Sequence, residues 1–80
     1  RVVPVEQLGS VVDEMAAALM QGAPKAQMFI KQAVNTSFGV SMADALSWEA
    51  QSQAILMGTE DVAEGVLAFN EKRDPIWKGK

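Results

Sequence analysis

The chain has 80 residues, so it forms one domain at most, and a domain of this size buries only about 60% of the surface that its unfolded chain exposes. It contains no cysteine and no histidine, which excludes disulfides, thiolate metal sites and imidazole acid–base catalysis. Its net charge of -3 argues against nucleic-acid partners, and the absence of an apolar run of about 18 residues argues against a membrane span. We therefore expect a cytoplasmic protein, and the short chain predicts a thin core.

The first half of the chain predicts two helices. Arg1-Val2-Val3-Pro4 resembles the end of a strand stopped by proline, and with no initiator methionine it suggests a segment of a longer protein. A first helix begins near Leu8 and ends at Gly22, and Pro24 suits the first turn of a second. Turn-forming residues follow at positions 35–40. The apolar stripes are Leu8, Val11, Val12, Met15, Ala16 and Leu19 in the first helix and Ala26, Phe29, Ile30, Ala33 and Val34 in the second.

A third helix is predicted from Ser41 to about Met57. Ser41 and Asp44 have the spacing of a capping box, which marks a helix start. Apolar residues lie on more than one side of this helix, which in so small a chain indicates contact with another subunit or domain. Glu49 interrupts the apolar pattern and is the best candidate for a carboxylate acid or base. The simpler interpretation is a glutamate paired with a lysine or arginine at an interface.

A fourth helix is predicted to begin at Thr59, which can cap it. We interpret Glu60, Asp61 and Glu64 as capping and solvated residues, because carboxylates are stabilised near a helix N-terminus. Gly65 costs about 1 kcal/mol relative to alanine inside a helix, so the close approach of another helix is its simplest explanation.

Asp74-Pro75 is predicted to close the fourth helix, since the residue before proline avoids the helical region. Residues 76–80 then form an extended basic tail. The predicted fold is therefore all-α, with about four short helices, and residues 1–80 form a single unit.

Phe69 and Lys72 are the candidate ligand-binding residues. Phe69 lies on the fourth helix in phase with Val62 and Val66, and Lys72 follows one turn later, close to Arg73. An aromatic ring beside an ammonium can hold a nucleotide, with the ring against the base and the lysine near a phosphate. The alternative is a core phenylalanine at a basic helix end.

Ser41 raises a second functional possibility. An acidic helical chain with a serine at a helix start has the outline of an acyl carrier protein, in which phosphopantetheine is attached to a serine. Such carriers have aspartate before that serine, whereas Val40 stands here. An autonomous carrier or protein-interaction module therefore remains the alternative function, and a simple N-cap accounts for Ser41 without it.

The second half of the chain contains an ordered set of motif residues: Thr59-Glu60-Asp61, Glu64-Gly65, Ala68-Phe69, Glu71-Lys72-Arg73, Pro75, Trp77 and Gly79. These residues resemble the C-terminal signature of the enoyl-CoA hydratase/isomerase, or crotonase, family. Upstream, the likeness extends to Val2-Val3-Pro4, Ala23-Pro24, Ala26 and Lys31.

The resemblance implies a role within an α/β parent protein built from ββα units. These residues would be its C-terminal helices, which pack against the upstream core and self-associate into a trimer or a dimer of trimers. The parent would act on acyl-CoA thioesters in fatty acid metabolism, as a hydratase, isomerase, dehydratase or hydrolase, with hydration of a 2-enoyl-CoA expected first. Coenzyme A would be part of the substrate, with no covalently bound cofactor and no metal. The resemblance maps CoA contacts onto Phe69 and Lys72 and no catalytic residue onto this segment.

Overall fold

The computed structural model describes all 80 residues and contains four α-helices and no strand. The helices are α1 (Leu8–Met20), α2 (Pro24–Thr36), α3 (Met42–Met57) and α4 (Glu60–Glu71), with short 3-10 turns at Val5–Gln7 and Ser37–Gly39. The predicted all-α fold is confirmed, and the predicted start of each helix agrees with the structure to within one residue. None of these helices is both long enough and apolar enough to cross a membrane.

The starts of α3 and α4 follow from their capping side chains. The Ser41 hydroxyl accepts a hydrogen bond from the backbone N–H of Asp44 at 3.1 Å, and the Thr59 hydroxyl accepts one from Val62 N–H at 3.3 Å. Each bond satisfies one of the four N–H groups that a helix start leaves unpaired. The N-cap roles predicted for Ser41 and Thr59 are confirmed.

The contact between α2 and α3 is built around an aromatic pair. The rings of Phe29 and Trp48 meet edge to face, with centroids 5.9 Å apart and planes inclined at 61°. Pairs of this geometry contribute about 0.5–1.5 kcal/mol beyond the area that they bury. The pair therefore helps to hold α2 against α3.

The chain is flat and exposes far more surface than an independent domain of its size. Its radius of gyration is 16.0 Å and its extents are 43 × 39 × 18 Å, whereas a compact 80-residue domain has a radius of gyration of about 12 Å. Its accessible surface is 6541 Å², against about 4,700 Å² for a compact monomer of this mass. Ala68 is the one buried apolar residue, at 1% exposure. The thin core predicted from the chain length is confirmed, and most large apolar side chains of α1, α2 and α3 lie uncovered.

Candidate functional site

The C-terminal end of α4 closes in a Schellman motif centred on Lys72. Lys72 has φ 54° and ψ 42°, which is the left-handed region that glycine normally occupies at this position. The N–H of Lys72 donates to the carbonyl of Phe69 at 3.3 Å, and the N–H of Arg73 donates to the carbonyl of Ala68 at 3.1 Å. The helix therefore ends at Glu71, before the Asp74-Pro75 pair that was predicted to close it.

Phe69 and Lys72 both lie on the surface at this helix end. Phe69 is 83% exposed, so its ring is not part of a core formed by these 80 residues. Lys72 is exposed and forms no ion pair, although Glu71 and Asp74 are close in sequence. A backbone hydrogen bond links the two residues, so the left-handed turn fixes the backbone of Lys72 relative to that of Phe69.

Arg73 is held by two carboxylates. Its Nη1 and Nη2 atoms donate to the two oxygens of Glu64 at 2.6 and 3.1 Å, and its Nε atom donates to Glu71 at 2.7 Å. Glu64 also accepts the N–H of Ile76 at 2.8 Å. The hydrogen bond from Arg73, followed by that from the Ile76 N–H, lowers the pKa of Glu64 from 4.5 to about 2. The hydrogen bonds to Glu64 and then to Glu71 raise the pKa of Arg73. Glu64 is thus tied to the turn that follows α4, and the prediction of a solvated carboxylate is wrong.

Asp61 anchors the tail of the chain, residues 74–80, which we call the C-terminal strap. The carboxylate is 3% exposed and accepts the N–H groups of Lys78 at 2.7 Å and Gly79 at 2.9 Å. The N–H of Asp61 in turn donates to the carbonyl of Lys80 at 3.2 Å. The strap therefore runs back along α4 to its N-terminus, so the prediction of Asp61 as a solvated first-turn residue is wrong.

Trp77 connects the strap to the junction between α1 and α2. Its indole N–H donates to the carbonyl of Gln21 at 2.7 Å, while its ring lies over Gly65. A Cβ atom at Gly65 would stand 3.2 Å from Trp77 Cη2, which is closer than ordinary van der Waals contact. The close approach predicted at Gly65 is confirmed, but the neighbour is an indole ring of the strap and not a second helix.

The roles of Asp61 and Glu64 were difficult to predict from sequence. The sequence feature that relates them is their spacing of three residues, which places both side chains on one face of α4. Their partners lie 9 to 18 residues further along the chain, where no local pattern connects them to a particular carboxylate.

An open apolar groove of about 690 Å³ lies between α2 and α3. The Phe29–Trp48 pair and the aliphatic residues Ile30, Val34 and Leu56 line it. Glu49 stands at this groove and forms no ion pair within the chain, so its predicted cationic partner is not among these residues. No group of three or more acidic side chains converges in a way that could hold a metal ion.

The sequence profile of the enoyl-CoA hydratase/isomerase family matches residues 1–80 of the chain. The chain belongs to the enoyl-CoA hydratase/isomerase family. The family likeness inferred from residues 59–79 is therefore confirmed.

Known members of the enoyl-CoA hydratase/isomerase family support this assignment in both sequence and structure. A probable mitochondrial enoyl-CoA hydratase of Dictyostelium discoideum is 34% identical over the whole chain, which covers 29% of that protein. The carnitinyl-CoA dehydratase of Escherichia coli strain K12 is also 34% identical, and the chain covers 32% of it. The crystal structure of an enoyl-CoA hydratase from Bacillus anthracis superposes with a TM-score of 0.92 at 34% identity, over 99% of this chain and 31% of that one. The chain thus spans about a third of the length of the relatives that it matches.

Proposed function

We propose that this chain is the C-terminal helical segment of an enzyme acting on acyl-CoA thioesters, in which it contributes CoA contacts and a self-association surface. Hydration of a 2-enoyl-CoA is the reaction we propose for the whole enzyme, with acid–base catalysis supplied outside these residues. The observation that carries the CoA role is that Phe69 is exposed and that Lys72, three residues later at the end of α4, is exposed and forms no ion pair.

The charges around Lys72 support an anion-binding role for this residue. Arg73 is engaged by Glu64 and Glu71, so Lys72 is the cation of this helix end that remains available to a phosphate. A lysine in the left-handed region costs roughly 1 kcal/mol more than the glycine usual at this position. A ligand contact would account for keeping an ammonium at a site where glycine is more stable.

The self-association role is supported by the surface that the chain leaves uncovered. The accessible area exceeds that of a compact monomer of this mass by about 1,800 Å², much of it apolar. This excess is comparable to the area that one partner buries in an obligate interface. We propose that it packs against the rest of the enzyme and against neighbouring copies in a trimer or dimer of trimers. Native mass spectrometry of the full-length enzyme tests this: masses at multiples of three protomers are expected, and a monomer at micromolar concentration contradicts it.

The CoA role is tested by replacing Lys72 in the full-length enzyme and measuring 2-enoyl-CoA hydration. Lys72→Ala should raise the KM about fivefold, corresponding to roughly 1 kcal/mol for an exposed charge pair, and leave kcat within twofold. Lys72→Gly should raise the KM equally while the enzyme melts at the same or a higher temperature, because glycine relieves the left-handed turn.

Two controls separate a specific contact from a general charge effect. Lys31→Ala removes an exposed, unpaired lysine of α2 and should leave the KM unchanged. A 2-enoyl-pantetheine thioester, which lacks the nucleotide, should be hydrated equally well by the wild type and by Lys72→Ala. An unchanged KM for the CoA ester, or a large loss of kcat at constant KM, would refute the proposed role of Lys72.

A further inference from the structure

We infer that Glu64 is a positioning residue for Lys72, acting through Arg73 to fix the left-handed turn from which the Lys72 side chain extends. This inference rests on the proposed contact between Lys72 and CoA. It assigns a role to a carboxylate that stands two turns before the helix end and touches no ligand itself.

The geometry of Glu64 suits this role because one carboxylate spans the whole turn. It receives two parallel hydrogen bonds from the Arg73 guanidinium, at 2.6 and 3.1 Å, and a third from the N–H of Ile76 at 2.8 Å. A bidentate pair between arginine and carboxylate fixes orientation as well as distance. Residues 73 and 76 are therefore both tied to the body of α4, and the backbone between them has little freedom to move.

Lys72 lies immediately before this tied segment and needs such support. Its left-handed conformation is unfavourable for a residue with a Cβ atom, and the two backbone bonds of the turn are long, at 3.1 and 3.3 Å. If Arg73 were released, residues 72 and 73 could continue the right-handed helix or fray into solvent. Either change would turn the Lys72 side chain away from its present direction.

The same contacts also keep the Glu71 carboxylate away from the Lys72 ammonium. Arg73 binds Glu71 at 2.7 Å while it holds Glu64, so the carboxylate next to Lys72 in sequence is directed toward the guanidinium and not toward the ammonium. Holding Arg73 in place thus keeps Lys72 free of an intramolecular partner.

Positioning and simple charge effects predict opposite outcomes for Glu64→Gln. The substitution removes a negative charge close to a proposed phosphate site, and Coulomb attraction alone would then tighten CoA binding and lower the KM. A glutamine cannot form the bidentate pair with Arg73, so a positioning role predicts that the KM rises.

The experiment measures 2-enoyl-CoA hydration by the full-length enzyme carrying Glu64→Gln, Lys72→Ala or both. The expected result is a KM at least threefold higher for Glu64→Gln, with kcat within twofold, and no further increase when Glu64→Gln is added to Lys72→Ala. An unchanged or lower KM for Glu64→Gln, or an equal increase in both backgrounds, would overturn the inference. If Lys72→Ala itself leaves the KM unchanged, the proposed CoA contact fails, and the positioning role fails with it.

Arg73→Lys provides a second variant in case Glu64→Gln lowers the yield of folded enzyme. A lysine keeps the positive charge but cannot form a bidentate pair, so the KM should again rise without any addition to Lys72→Ala. The 2-enoyl-pantetheine thioester should show no effect of any of these substitutions. A general structural defect would instead change its turnover, and that result would contradict the positioning role.

Discussion

Asp61→Ala should release the C-terminal strap from α4. The Asp61 carboxylate is buried and accepts two backbone hydrogen bonds from the strap, at 2.7 and 2.9 Å. Hydrogen bonds to charged groups contribute about 1.5–3 kcal/mol each, and the lower part of that range applies because the released N–H groups can be hydrated. We therefore expect the free energy for opening the strap to fall by about 3–4 kcal/mol.

Amide hydrogen exchange of the full-length enzyme measures this opening directly at Lys78 and Gly79. A loss of about 3–4 kcal/mol accelerates exchange at these two amides by about 150- to 1,000-fold if they exchange through local opening. Asp61→Asn should have a smaller effect, because its amide oxygen can still accept one of the two N–H groups while its NH2 group opposes the other.

Glu60→Gln is the matched control for Asp61→Ala. Glu60 lies next to Asp61 in the first turn of α4, but its ion pair with Lys78 spans 3.3 Å between side chains that are 58% and 60% exposed. Exposed pairs of this kind contribute about 0–1 kcal/mol, so exchange should change by less than about fivefold. Exchange at Lys78 and Gly79 that is unchanged by Asp61→Ala, or equally fast in Glu60→Gln, would refute the role assigned to the buried carboxylate.

Two further predictions concern the contacts around the strap. Gly65→Ala should lower the melting temperature, because the new Cβ atom would press on the Trp77 ring and this outweighs the gain in helix propensity of about 1 kcal/mol. When Trp77→Leu is also present, Gly65→Ala should instead raise the melting temperature. The pair between Glu64 and Arg73 should stabilise the turn fully above about pH 4.5 and be lost as the pH falls through about 2, since the folded state binds fewer protons in that range than the unfolded state. Exchange protection of the Ile76 amide, corrected for intrinsic rates, should fall in this window for the wild type and show no such step in Glu64→Gln.

The helices could be predicted from the sequence because their signals are local. Ser41 and Thr59 cap α3 and α4 through residues three positions away, and Pro24 begins α2 because of its own fixed φ. Each of these signals acts within one turn of a helix. Short-range chemistry therefore sufficed for the number of helices and for where each begins.

The strap and the left-handed turn could not be predicted in the same way. Lys72 occupies a conformation that favours glycine, and it is stabilised there by contacts of Arg73 with a residue nine positions earlier. The partner of Trp77 is the carbonyl of Gln21, 56 residues away, and a carbonyl carries no sequence signature. The exposure of Phe69 could not be predicted either, because its helical spacing suits a core residue and a surface residue equally well.

The hydrogen bonds from the strap to Asp61 lead to very different tolerance of substitution at the adjacent positions 78 and 79. It binds the peptide N–H groups of Lys78 and Gly79, so the Lys78 side chain contributes little to the attachment and most residues other than proline would serve there. Gly79 has φ 73°, a left-handed conformation that is unfavourable for any residue with a Cβ atom, so a larger residue would be strained there. In a saturation-mutagenesis library, a position that accepts nearly any amino acid should therefore lie directly beside one at which glycine is strongly preferred.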